Sequence, residues 1–335
     1  MRTGFANLIN SAQREQKFGK VREIISTDFQ GHKVVAVGSG LHFSKRWKTF
    51  PDFLRDYAPQ TMGKDWWSSQ FKLPSEKQSP VIEWAIKAHG HQSTTSKAEG
   101  GDIFSTLPNG PMHAFYTFAY DLYVLKDNLR LQDEVISRLK RREHFFGARY
   151  ELLVAATFIR AGFDIRYENE KDNSSKHPEF VAKHPFSDLE FDVEAKKRNR
   201  ASKLSQDDFD SGRARIGVRD LLASAVAKFR GRPFIVFVDI DVPPIDGNPF
   251  TKPWSMELLN TQSEAGDRTQ DGKDKCNWVV YTNFPIDYHT SSLPRFSYVV
   301  SQSTVPLIPV QTPVPYLALN QALTQFGKIP NSFDE

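Results

Sequence analysis

The spacing of apolar and polar residues changes several times along this chain, and each change marks an element. In GHKVVAVGSGLHF (31–43) an apolar run ends in Gly-Ser-Gly, which predicts a strand leading into a tight turn. Two aromatic stretches, WKTFPDFLRDY and DWWSSQFKLP, follow in a region that reads as loop-rich. PVIEWAIKAH (80–89) has helical spacing, and QSTTSKAEGGD reads as a polar loop, with His89-Gly90-His91 at its start. Residues 112–142 keep helical spacing and predict one or two long helices.

From about residue 143 the pattern becomes more regular. ARYELLVAATFIRAG predicts a helix, with Leu152, Ala155, Ala156, Ile159 and Phe163 spaced for one face and Gly162 as its stop. FDIRYENE, PEFVAK and DLEFDVEAKK alternate with period two and predict three strands. GVRDLLASAVAKF (217–229) predicts an amphipathic helix, ended by Gly231 and Pro233. FIVFVDI (234–240) is almost wholly apolar, as expected of a strand buried on both faces, and NWVVYTNF (277–284) predicts another. A helix between strands implies a crossover and an α/β (α+β mixed) class with a mixed central sheet. VPLIPVQTPVP (305–315) has too many prolines for a central strand and reads as an extended arm, packing on the first domain or on another subunit. The expected division is 1–142 as an accessory domain, 143–300 as the α/β domain, and 301–335 as a Pro-rich arm with a short helix.

Composition narrows the classes. The 335 residues are 39% hydrophobic and 25% charged, which fits a folded globular chain. Net charge is only +4, so a nucleic-acid partner is permitted without being required. Cys276 is the one cysteine, which excludes a disulfide framework and a cysteine-rich metal site. The first residues contain no apolar segment of signal-peptide type, and no apolar run approaches the ~18 residues of a membrane span. A cytoplasmic setting without membrane contact is expected.

The candidate chemistry lies in FDVEAKK (191–197), where Asp192, Glu194 and Lys196 share one strand face. A wet strand face is the simplest account of such an alternation. Two neighbours argue for more. Glu179 follows Pro178 on the preceding strand, across a short turn. Glu151 shares a helix face with Ala148, Ala155, Phe158 and Gly162 rather than with Arg149 and Arg160, which predicts that it faces inward and meets a cation.

These residues resemble the PD-(D/E)XK nuclease superfamily, the restriction-endonuclease-like fold. Its pattern is an acidic residue on the first core helix, an acidic residue after proline on the second strand, and (D/E)-x-K on the third. Here those are Glu151, Pro178-Glu179 and Glu194-Ala195-Lys196, over roughly residues 143–290. The second-strand position is Pro-Glu where the family usually has Pro-Asp, and Asp192 is available as a compensating ligand. No Gln-x-x-x-Tyr follows the motif; the helix at 217–229 offers Ser224 and Lys228 instead. The resemblance implies that Glu179 and Glu194, with Glu151 and the Ala195 carbonyl, hold Mg²⁺ or Mn²⁺, and that Lys196 assists attack on a phosphodiester. The expected function is a Mg²⁺-dependent nuclease acting on DNA, with RNA as the alternative substrate, serving restriction or antiphage defence by family analogy. The basic runs RLKRREHFFGARY (138–150) and KKRNRASK (196–203) nominate Arg141, Arg142, Lys197, Arg198 and Arg200 as phosphate contacts, with Phe145, Phe146 and Tyr150 for stacking. Two other readings stand beside it: a nucleic-acid-binding module on the same scaffold without catalysis, and an assembly protein that forms homo-oligomers or holds a protein partner through its N-terminal region.

Overall fold

The computed structural model describes residues 2–335 except 101, 169–176, 199–216, 244–247, 253–254, 266 and 285–295; the side chains of 2–9, 249, 257, 259, 263 and 264 are also left out. The chain divides into two compact units, one holding Met1–Gly162 and Leu319–Glu335, the other Phe163–Tyr288 and Pro294–Ala318. The division therefore falls after Gly162 and not at 142/143, and it splits the tail beyond residue 300 between the units.

In the first unit, α1 (Arg2–Phe18) precedes an antiparallel meander of β1 (Ile25–Phe29), β2 (His32–Val37) and β3 (Gly40–Ser44). The Gly-Ser-Gly segment is the tight turn between β2 and β3, with Gly38 at φ +57°. The aromatic region expected as loop is helical: α2 (Phe50–Met62) and α3 (Lys64–Gln70). A capping box explains the start of α2, since the Thr49 side chain accepts from the Asp52 amide while Asp52 accepts from the Thr49 amide. Next come α4 (Pro80–Thr95), a hairpin of β4 (Lys97–Gly100) and β5 (Ile103–Ser105), then α5 (Gly110–Asp127), α6 (Asp133–Leu139) and α7 (Arg142–Arg160). His89-Gly90-His91 lies inside α4 and not in a loop. The hydroxyls of Ser93, Thr94 and Thr95 donate to the carbonyls of Gly90 and His91, so a polar sequence carries the helix another turn. Helix α5 is buried on nearly every side and packs against α2, α4 and α7, with Phe50, Phe53, Tyr57, Trp84, Phe118, Tyr120, Tyr123 and Phe145 in the core.

The second unit is built on a six-stranded mixed sheet, in the order β11-β10-β9-β8-β7-β6. The strands β6 (Asp164–Tyr167), β7 (Phe180–Lys183) and β8 (Glu190–Lys197) form an antiparallel meander. Strand β9 (Phe234–Asp239) pairs in parallel with β8, and β10 (Trp278–Asn283) in parallel with β9; β11 (Ser297–Gln302) closes the edge antiparallel to β10. Parallel neighbours need a crossover, and α8 (Arg219–Val226) lies between β8 and β9 as the pattern requires. Helix α8 and Leu258 of α9 (Ser255–Glu264) cover one face, where Leu222, Ala225 and Val226 meet Phe234, Val236, Val238, Val279 and Tyr281. The Pro-rich stretch packs within its own unit, contrary to expectation. The Asp274 amide donates to Val305, the Leu307 amide to Asp274, and the Asn277 side chain to Ile308. Helix α10 (Val314–Thr324) follows, with Tyr316 against Trp278. The mixed α/β class is as expected.

Candidate active site

The β7–β8 hairpin sets the site. Register pairs Phe180 with Val193 and Val181 with Asp192, and the Glu179 amide donates to the Val193 carbonyl at 3.0 Å. Carrying that register one residue further puts Glu179 opposite Glu194, on the same face as Asp192 and Lys196. The face is not wet. Asp192 and Glu194 are both 0% exposed, because β8 lies inside the sheet and α8 packs over it.

Burying two carboxylates demands cations, and the segment after α8 delivers them. The Lys228 ammonium lies 2.8 and 3.0 Å from the two Glu194 oxygens and 3.6 Å from Glu179. Lys196 reaches Glu194 at 2.5 Å. Burial, and then the neighbouring Glu179, still hold the Glu194 carboxyl above the usual range, with both lysines opposing. Four charges of balanced sign therefore share a small patch at the sheet surface.

Asp192 belongs to a separate cluster. Arg232 and Arg230 donate to its Oδ1 at 3.1 and 3.3 Å. Gly231, at φ +86°, lets the chain reverse between the two arginines. Arg230 also donates to Glu168 at 3.0 Å and to His177 Nδ1 at 3.1 Å. That contact draws Glu168 below the ordinary carboxylate range and, with Asp192, raises Arg230 despite its partial burial. Asp192 is thus held by two arginines, apart from the Glu179–Glu194 pair. Ser224 donates to the Leu221 carbonyl of its own helix and takes no part, whereas Lys228 does.

Glu151 has its own partner. It sits on α7 in the first unit, where Arg138 grips both its oxygens at 2.9 and 2.6 Å. Helix α7 is buried on both sides: Ala148, Ala155 and Phe158 beside Glu151 lie in the core, and Arg149 and Arg160 are buried too, both binding the fully buried Asp121 at 2.8 and 2.5 Å.

Of the nominated phosphate contacts, the structure contradicts Lys197. Lys197 points to the opposite sheet face from Lys196, buried, with its ammonium 2.9 Å from Asp239 and 3.5 Å from Asp241. Arg198 is half-buried and its amide donates to the Asp239 carbonyl. Arg142 is exposed and donates to the Gln78 carbonyl, while Arg141 is exposed at the start of α7. Phe145 and Tyr150 are core residues and Phe146 is half-buried, so the first two present no stacking face. Arg200 lies outside the described residues. Ala195 is buried in β8, opposite Phe237 of β9.

Asp239 provides a measurable signature. Burial outweighs Lys197 and raises its carboxyl to about 6, although Thr282 and the Phe284 amide donate to it. A carboxyl raised in the folded state stabilises fully below the unfolded value of 3.8 and loses that contribution as pH climbs through about 6. The difference in unfolding free energy between wild type and Asp239→Asn is therefore expected to shift against the wild type from pH 4 to pH 7. Urea titrations at several pH values read it, and a difference independent of pH would contradict the assignment.

Among the described residues no group of three or more His, Cys, Asp or Glu side chains is disposed to hold a metal ion. Of the four expected carboxylates, the structure brings Glu179 and Glu194 together on Lys228, while Asp192 is held by Arg230 and Arg232 and Glu151 by Arg138. Among the described residues no helix is long and apolar enough to cross a membrane. No known family, curated protein or solved structure matches the chain.

Proposed function

We propose that the second unit is a metal-dependent DNA phosphodiesterase of the PD-(D/E)XK type, with Glu179, Glu194 and Lys196 as its working groups. The observation that carries this reading is the convergence of two carboxylates, from adjacent strands, on one ammonium ion. A place that attracts a lysine between two acids also suits a hard cation with oxygen ligands. Glu179 and Glu194 would hold Mg²⁺ or Mn²⁺, and the bound ion would supply Lewis acidity and a water of lowered pKa. Lys196, on the same strand face, would donate to a phosphate oxygen as negative charge grows on it.

A second reading has an observation of its own. Glu179 and Glu194 are already matched in number by Lys196 and Lys228, which suits a scaffold that binds nucleic acid without cleaving it. A cleavage panel over single- and double-stranded DNA and RNA, with Mg²⁺, Mn²⁺ or chelator, separates the two, together with calorimetry of metal binding to wild type and Glu194→Gln. Metal-dependent cleavage of DNA supports the nuclease. Absence of both cleavage and metal binding, with DNA still bound, selects the inactive scaffold.

A further inference from the structure

The β1–β2–β3 meander carries one apolar face that is left exposed among the described residues. Register aligns Ile25 with Ala36 and Leu41, Thr27 with Val34 and Phe43, and Phe29 with His32. The opposite face sends Val35 and Val37 into the core. On the outward face Ile25 is 66% exposed, Phe29 61%, Leu41 71% and Phe43 69%. Strands with one buried face ordinarily turn polar residues to water. Here the outward face is the apolar one, with none of its eight positions Lys, Arg, Asp or Glu, while the other face carries Ser26, Asp28, Lys33, His42 and Ser44 beside Val35 and Val37.

We infer that this face is the contact surface of a homodimer, in which the meanders of two copies stack face to face. Neutrality argues for a second copy. A nucleic acid would meet two phenylalanine rings there but no cation on the face itself to neutralise its phosphates. An identical apolar sheet satisfies it, since a two-fold contact sets the same surface against itself. The area is sufficient. With aromatic side chains of roughly 200 Å² each, the four most exposed residues present on the order of 500 Å² per copy. Two copies would then cover about 1,000 Å², the lower bound for a specific interface. The inference is independent of the proposed activity.

Light scattering coupled to gel filtration, at micromolar concentration, tests it on the full chain. Wild type is expected at twice the chain mass, and Leu41→Lys/Phe43→Lys at the monomer mass, with circular dichroism and melting unchanged. Ile25→Lys/Phe29→Lys, on the strand at the other edge, repeats the test should the first pair fail to fold. A monomeric wild type would overturn the inference, as would a dimer that survives both pairs. A monomer that binds single-stranded oligonucleotide and loses it in these variants would overturn it in favour of a nucleic-acid surface.

Discussion

On the proposed nuclease reading, replacing Lys196 by alanine is expected to lower Mg²⁺-dependent DNA cleavage by about 100-fold or more while metal affinity holds or rises. The ammonium lies 2.5 Å from Glu194 and would act on the transition state, so its loss costs rate even though it frees that carboxylate of a neighbouring cation. Lys228→Ala should behave differently. Its ammonium occupies the space between Glu194 and Glu179, so its removal leaves two facing carboxylates under-compensated and should tighten Mg²⁺ binding. Calorimetry on the two variants, with single-turnover cleavage, measures the split. Equal rates in wild type and Lys196→Ala would refute the assignment of that lysine, and weaker metal binding in Lys228→Ala would refute its role as the competing cation.

The largest stability effect is expected in the first unit. Asp121→Ala should destabilise the protein by about 3–5 kcal/mol, because it leaves two buried guanidiniums without the carboxylate they share. Burial already pushes the Arg149 guanidinium down, against the pull of Asp121. The neighbouring imidazole of His113, lowered to about 4 mainly by its own burial and next by Arg149, stays neutral and adds no charge at pH 7. Arg149 and Arg160 also lie over the rings of Phe118 and Tyr120, at 5.7 and 5.2 Å, which offsets part of their desolvation. Urea unfolding of Asp121→Ala checks the magnitude, and a loss below 1 kcal/mol would show that those rings suffice.

The second unit was easier to read from its sequence than the first, for a physical reason. FIVFVDI has no polar side chain before Asp239, and only a strand covered on both faces accommodates that run. The β6–β7–β8 meander showed in its alternation, and the placing of Glu179 near Glu194 followed from the short turn between them. What escaped depends on contacts distant in sequence. Nothing in FDVEAKK announces that Asp192 will be held by Arg230 and Arg232, which become neighbours only when α8 and β9 pack beside β8. The burial of Arg149 and Arg160 on α7 depends on Asp121, which lies on another helix and has no local signature. Local polar chemistry hid the end of α4, where serine and threonine, common in loops, bond back to the helix. Strand β11 leaves little trace in the sequence, because SYVVSQ, with only half-buried or exposed side chains at the sheet edge, alternates too weakly to stand out.

The short stretch from Lys228 to Arg232 has a consequence for how this protein can be handled. Because it carries three positive side chains back over the hairpin acids, the sheet brings its own counterions and does not wait for one from solution. On the proposed metal reading, folding and loading would be separate events, so the chain could be prepared in chelator and titrated afterwards, with the dissolved ion entering as a reagent and not as a rivet.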